Sequence, residues 1–154
     1  NVLPAVDGRN AMAQEQLHLC LGTLAVIRQR LPGLHRYLRR DLQDNLELAR
    51  TLVRLVRADE AAEADIAASE RALADPEMGP AEIEQQVRAL KERIAWLIDK
   101  AHGTPAEHDI ATTVIAAQEP MILRARAWAI AMGFEPDVSQ IPDLNDLLDR
   151  KKDA

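Results

Sequence analysis

The sequence predicts an all-α protein, a helical bundle of four to six helices with one kinked central helix at about residues 105–132. The 154 residues are 47% apolar but only 3% aromatic, so aliphatic side chains must fill the core. Much of the remaining composition is Ala, Leu, Arg and Glu, which favour helix. Apolar residues recur at steps of three and four, and no segment alternates as a strand does.

Signals for the first elements are local. Residues 1–9 are predicted to be an irregular lead-in, and residues 10–133 to be the bundle domain. Asn10 is a suitable N-cap for a first helix over about 11–31, which Pro32-Gly33 ends in a short turn between helices. Residues 34–74 contain neither Gly nor Pro and could form one helix or two. The weak apolar stripe after residue 60 favours a break near 57–60.

Clear stop and start signals divide the rest of the bundle. Residues 75–79 form a loop, and Pro80 opens a helix that runs to about Ala101. Its seam repeats at steps of three and four, through Ile83, Val87, Leu90, Ile94, Leu97 and Ala101. Gly103 ends this helix. Thr104 is predicted to cap the next one, with Glu107 reaching back to it.

The helix over about 105–132 is apolar around its whole circumference, and Gly133 is its stop. Between Ile110 and Met132 it carries only three charges, on Glu119, Arg124 and Arg126. A helix with this pattern is usually central, so we expect it to be the most buried. Pro120 should bend it, because proline lacks an N–H and clashes with the preceding turn.

Residues 134–154 are predicted to form a C-terminal acidic amphipathic segment. Its apolar residues are Ile141, Leu144, Leu147 and Leu148. Such a segment can dock into a groove of a protein partner, with its leucines as anchors. The alternative is that it packs back on its own bundle.

The composition narrows the classes of function. The net charge of −6 disfavours a general nucleic-acid binder, which needs clustered positive charge. No apolar run is long enough for a membrane span, and no signal peptide is visible. A single cysteine, Cys20, excludes an internal disulfide and suits a reducing compartment, so we expect a cytoplasmic protein. No cofactor is predicted.

The charge is unevenly distributed along the chain. Residues 1–57 carry nine Lys and Arg against five Asp and Glu, whereas residues 58–154 carry ten against twenty. The two halves should attract each other, within one chain or between chains.

The first helix has two apolar stripes. One contains Leu17, Cys20, Leu21, Leu24, Ile27 and Leu31, and the other contains Met12, Leu19 and Val26. Cys20 is therefore expected to be a small buried apolar residue. Two apolar stripes predict that another element or a second subunit covers this helix, which favours a homo-oligomer, most simply a homodimer.

The second helix combines an apolar face with two polar residues, Asp41 and Asn45. These two could meet Glu119, Arg124 and Trp128 of the helix 105–132. Buried charges must be paired, so the group could be a structural network or a pocket for a small polar ligand. In a pocket, Glu119 and Asp41 would be the candidate catalytic acid and base, and Asn45, Arg124 and Trp128 the ligand-binding residues.

The opposite face of the second helix is a stripe of arginines: Arg36, Arg40, Arg50, Arg54 and Arg57. Arginine makes bidentate contacts with carboxylates and phosphates, so this stripe could bind an anion or an acidic partner. The acidic second half of the same chain is an equally good partner.

Two acid-x-x-His pairs suggest a metal site as a weaker alternative. Glu15 precedes His18, and Asp99 precedes His102, each by three residues. The spacing resembles that of ferritin-like di-iron bundles, which implies carboxylate and histidine ligands projecting inward from several helices. Helical phasing turns these residues away from the apolar seams, which favours solvated surface positions.

These observations predict a small acidic bundle that acts by binding, as a protein–protein interaction or assembly module. The alternative is a ligand-binding or catalytic bundle with its pocket between the second helix and the kinked helix. A carboxylate and histidine metal site is the third possibility.

Overall fold

The computed structural model describes residues 10–56, 60–133 and 135–149, and within these ranges the chain forms helices and turns without a strand. Six α-helices follow one another in these described ranges: α1 (Ala11–Arg30), α2 (Leu34–Val56), α3 (Glu60–Ala74), α4 (Pro80–Ala101), α5 (Glu107–Ala129) and α6 (Leu144–Asp149). Short 3₁₀ turns occupy Leu31–Gly33, Ile130–Met132 and Val138–Gln140. The prediction of an all-α bundle is confirmed. The predicted lead-in over 1–9 and Arg57 of the arginine stripe lie outside the described residues.

Most predicted helix ends are confirmed by their capping contacts. The Asn10 side chain accepts a hydrogen bond from the Ala13 N–H at 3.1 Å at the start of α1. At the start of α4, the Glu82 carboxylate accepts from the Gly79 N–H at 2.8 Å. Gly103 and Gly133 have φ of 71° and 76°, the left-handed conformation that lets glycine follow a helix end.

The start of α5 differs from the predicted one. Thr104 lies in the turn before the helix, and its hydroxyl donates to the Ala101 carbonyl at 2.6 Å. Glu107 does reach back, but its carboxylate accepts from the Gly103 N–H at 2.9 Å. The hydrogen bond from Gly103 to Glu107 therefore stabilises the turn after α4. α5 itself begins at Glu107, two residues after Pro105.

Residues 34–74 form two helices, as the favoured alternative predicts. α2 ends at Val56 and α3 begins at Glu60, and α3 packs against α2. The predicted break falls on residues 57–59, which lie outside the described part of the chain.

The central helix is α2 rather than α5. α2 packs against α3, α4, α5 and α6 and has eight buried residues, whereas α5 has four. On the outer face of α5, Ile115 is 72% exposed and Ile122 is 54% exposed. The expectation that α5 is the most buried helix is therefore wrong, because its outer face has no covering element among the described residues. α5 continues through Pro120 as one helix, and a kink there is not evident.

The core consists of two parts. In the main core, α2, α3, α4 and the start of α5 pack together, and every residue of the predicted α4 seam is buried. A smaller cluster lies where the end of α5 meets the C-terminal segment, with Ala127, Ile141 and Leu147 at its centre. None of the helices in the described ranges has the length and apolar character needed to cross a membrane.

The first helix is an exception to this packing, because α1 has no buried residue. The Pro32-Gly33 segment forms a 3₁₀ turn, and the principal contacts of α1 are with that turn and with the 3₁₀ turn after α5. The predicted turn is present, but α1 does not pack along α2. Cys20, expected to be buried, is exposed.

Candidate functional site

Three of the residues predicted for a polar pocket do come together, between α2 and α5. Arg124 is only 2% exposed, and its Nη2 lies 3.5 Å from Asp41 Oδ1. Asn45 Nδ2 donates to the same carboxylate oxygen at 3.2 Å and to the Asp41 carbonyl at 2.7 Å. The helical spacing of Asp41 and Asn45 therefore places both beside the buried guanidinium.

The closest partner of Arg124 is a residue that sequence reasoning did not select. Arg124 Nη1 donates to Asp44 Oδ2 at 2.5 Å, and Asp44 is 8% exposed. Asp44 also pairs with Arg40, whose Nε lies 3.2 Å from its Oδ1. Asp44 lies only about 60° from Asp41 around the helix, so a wider predicted buried face would have included it.

The carboxylates of this network are satisfied by side chains of the chain itself. Besides Arg124 and Asn45, Asp41 pairs with Lys91 of α4, whose Nζ lies 3.0 Å from its Oδ2. The network thus ties α2 to both α4 and α5. Its contacts match the structural alternative, in which buried charges are retained because they are paired.

The remaining predicted catalytic residue, Glu119, does not join this network. It is exposed on the outer face of α5, in a shallow depression with Ile115, Ile122 and Arg126. Glu119 and Arg124 are five residues apart, which separates them by about 140° around a helix. A side chain at 119 therefore points away from α2 when 124 points toward it, and the structure does not bring Glu119 to Asp41.

Trp128, the predicted aromatic ligand contact, is part of a stack of side chains. Its ring centroid lies 4.4 Å from that of Tyr37, and the Arg124 guanidinium carbon lies 5.8 Å from the Tyr37 centroid. The Arg30 guanidinium carbon lies 5.5 Å from the Trp128 centroid. Arg30 also donates to the Ala127 carbonyl at 3.2 Å. The stack therefore fastens the C-terminal end of α1 to α5.

Tyr37 reports on the network through its pKa. Burial raises the pKa of its hydroxyl above the ordinary value of 10.0, the Asp41 carboxylate raises it further, and the Arg124 guanidinium opposes both.

Tyr37 is the single tyrosine of the chain, so absorbance at the tyrosinate band measures this group alone. We expect a titration midpoint above 10.0. The folded chain keeps a proton that the unfolded chain releases, so the free energy of unfolding should fall as pH rises past the unfolded pKa of about 10.

Two variants test the cause of this shift. Asp41→Asn removes the charge that raises the pKa and should lower the midpoint, whereas Glu119→Gln, on the outer face of α5, should leave it unchanged. A midpoint at or below the value of free tyrosine would contradict the described environment of Tyr37.

The predicted arginine face is a real feature of α2. Arg36, Arg40 and Arg50 line a depression of about 640 Å³ together with His35, Arg39 and Glu47. Acidic side chains of the same chain contact three of these arginines: Asp149 contacts Arg36, Asp44 contacts Arg40, and Glu70 contacts Arg50. Arg54 is exposed and donates to the Thr51 hydroxyl at 3.3 Å. The acidic second half of the chain, the intrachain partner predicted as an alternative, therefore pairs with two of the four described arginines, Arg36 and Arg50, whereas Arg40 pairs within its own helix.

The metal alternative gains no geometric support. Glu15 and His18 are exposed on α1, and Asp99 and His102 are exposed at the end of α4. His102 Nδ1 lies 2.9 Å from the Glu107 carboxylate, and the hydrogen bonds from Gly103 and His102 hold the pKa of Glu107 below its ordinary value. Within residues 10–56, 60–133 and 135–149, no group of three or more His, Cys, Asp or Glu residues is placed to hold a metal ion.

The C-terminal segment packs against its own bundle. Ile141, Leu147 and Leu148 are buried, and α6 contacts α5 and α2. The leucines predicted as anchors for a protein partner are therefore already covered within the chain. The exposed side of α6 carries acidic residues, among them Asp149, which contacts Arg36.

Among the described helices, α1 has the most exposed large apolar side chains. Six large apolar side chains of α1 and its C-cap are between 45% and 74% exposed: Met12, Leu19, Leu21, Leu24, Ile27 and Leu31. The two apolar stripes predicted from the sequence are thus both present on a helix that the rest of the described chain leaves open. Contiguous apolar surface of this kind usually marks an interaction site.

In comparisons with known proteins, no family model, no curated protein and no solved structure matches this chain.

Proposed function

We propose that the chain is an assembly module that acts by binding a second copy of itself through α1. One observation carries the proposal: a 20-residue helix has no buried residue while its large apolar side chains are mostly exposed. Exposing such a surface to water is unfavourable, by about 25 cal/mol for each Å² of apolar area. A helix of this kind gains most when a partner of similar apolar character covers it.

The charge pattern favours a second copy as that partner. From Ala11 to Arg30 the formally charged side chains are Glu15, Arg28 and Arg30, so α1 offers little to a highly charged ligand. Arg30 is already engaged with Ala127 and Trp128. The basic first half and acidic second half of the chain can also attract each other between two copies.

The alternative functions have less support. A ligand pocket between α2 and α5 would need Asp41 and Arg124 to be available, but both are engaged with other side chains of the chain. The metal alternative lacks a group of ligands among the described residues. The cytoplasmic location stays a prediction.

The proposal predicts a dimer that one substitution on α1 disrupts. Sedimentation equilibrium of the full chain, over a range of concentrations, should give twice the mass of one chain. Leu24→Glu should give single chains at the same concentrations, because it places a charge in the apolar interface. Leu24 is 61% exposed in one chain, so the substitution should change the stability of the fold by no more than about 0.5 kcal/mol.

A matched control lies on the outer face of α5. Ile115 is 72% exposed, so Ile115→Glu adds the same charge to another exposed apolar residue. It should leave the dimer intact. If the native chain has the mass of one chain at every concentration, the proposal is wrong. If Ile115→Glu separates the copies and Leu24→Glu does not, the interface lies on α5 instead of α1.

A further inference from the structure

One apolar stripe of α1 has the spacing of a coiled-coil seam. Its positions alternate between steps of four and three residues: Ala13, Leu17, Cys20, Leu24, Ile27 and Leu31. Leu31 belongs to this seam because it keeps right-handed helical dihedrals, with φ −52° and ψ −43°, at the C-cap of α1. Helices that repeat apolar residues in this way pack by inserting each side chain between four residues of a partner helix. None of the six residues is buried in the single chain.

The seam is complementary to itself when two copies run in opposite directions. Residue numbers that are symmetric about 22 then face each other, and all six seam positions find a seam position opposite. The three facing pairs are Ala13 with Leu31, Leu17 with Ile27, and Cys20 with Leu24. The smallest seam residue thus faces a large one at each end of the helix pair.

We infer that the partner of α1 is α1 of a second copy, in antiparallel orientation, with a two-fold axis at the level of Gly22. This inference rests on the proposed self-association and adds its orientation and register. A two-fold interface needs a surface that is complementary to itself, which the three facing pairs supply.

The flanking residues are compatible with this register. On one side of the seam, Arg28 of one copy comes near Gln14 of the other, so two like charges do not meet. On the same side, Leu21 meets Leu21 of the second copy close to the axis, and Leu21 is 45% exposed in the single chain. Glu15 points away from the seam.

The position of the bundle also favours the antiparallel orientation. α2 begins at Leu34, directly after the seam, and the principal contacts of α1 are with the 3₁₀ turns after α1 and α5, so the bundle lies at one end of α1. A parallel pair would bring two bundles side by side at the same end. In an antiparallel pair they lie at opposite ends of a helix about 30 Å long, where neither obstructs the other.

Cysteine cross-linking between different variants tests the register. One partner is the native chain, which carries Cys20, and the other is the double variant Cys20→Ser with Leu24→Cys. Each is oxidised alone, and then the two are mixed under reducing conditions to exchange subunits and oxidised together. We expect a disulfide-linked dimer on a non-reducing gel when the native chain and the variant are oxidised together. Neither protein should form this dimer when it is oxidised alone, because position 20 faces position 24 and neither position faces itself.

A matched control moves the cysteine off the seam. The variant Cys20→Ser with Leu19→Cys places the thiol on the other stripe of α1, at a residue that is 60% exposed. Mixed with the native chain, it should give no linked dimer. A second seam pair covers the case in which Leu24→Cys itself disrupts the interface. Two further variants carry Cys20→Ser, one together with Leu17→Cys and the other together with Ile27→Cys. These two variants should also form a disulfide-linked dimer only when they are mixed.

The outcomes separate the inference from the proposed function. Sedimentation of each variant shows whether the two copies associate. If they associate and each single variant links to itself, the helices are parallel and the inference is wrong while the assembly function stands. If they associate and neither seam pair links in the mixture, the register is wrong. If the native chain itself does not associate, both proposals fail.

Discussion

Replacing the buried guanidinium by Arg124→Leu is expected to lower the free energy of unfolding by about 3 kcal/mol, because losing one partner of a buried pair leaves a charge uncompensated. Arg124 is 2% exposed and contacts both Asp44 and Asp41. The expected loss lies at the low end of the range for buried pairs, because Asp44 keeps its contact with Arg40 and Asp41 keeps Lys91. Denaturant unfolding followed by tryptophan fluorescence measures it.

Two variants of the same helix serve as comparisons. Arg126→Leu removes a pair with Glu135 whose arginine is 47% exposed, so solvent screens the pair and the loss should be clearly smaller than that of Arg124→Leu. Arg124→Lys keeps the charge but not the fork of donors that reaches two carboxylates, so its loss should be intermediate. If Arg124→Leu and Arg126→Leu were equally mild, the network between α2 and α5 would have no structural role.

The second large effect concerns the α4 seam. Leu97 is 0% exposed in the main core, so Leu97→Ala should lower the free energy of unfolding by about 2–5 kcal/mol through lost burial and the cavity left behind. The next residue, Ile98, is 37% exposed, and Ile98→Ala should cost much less. Thermal unfolding of the two variants beside the native chain makes the comparison. Similar losses for both would mean that the seam is not the buried face of α4.

Helix boundaries could be predicted from the sequence because capping chemistry is local. Asn10, Gly103 and Gly133 act within a few residues of their own positions, and the structure confirms each of these predicted helix ends. The α4 seam could also be predicted, since that helix buries one narrow stripe. The start of α5 was harder to predict, because the Thr104 N–H donates to the Ala101 carbonyl and Glu107 accepts from the Gly103 N–H instead.

Burial that depends on neighbouring helices could not be predicted in the same way. Asp44 was missed because α2 is covered on several sides, which widens its buried face beyond the stripe that periodicity shows. The opposite error affected α5, whose apolar residues suggested a central helix although Ile115 and Ile122 face outward. The spacing of apolar residues identifies the apolar positions of a helix. Which of these positions are covered depends on the arrangement of the other helices.

The lack of packing around α1 has a thermodynamic consequence for association. Most of the stability of a helix in a protein comes from packing, and a glycine inside a helix costs about 1 kcal/mol relative to alanine. α1 has no buried residue, and a side chain at Gly22 would meet nothing within 4 Å. In a separated chain its amide hydrogens should therefore exchange with solvent quickly, and pairing would slow that exchange. Ordering α1 would then offset part of the favourable free energy of association. Dilution would separate the copies and so lower the helix content of the protein as well as its average molecular mass.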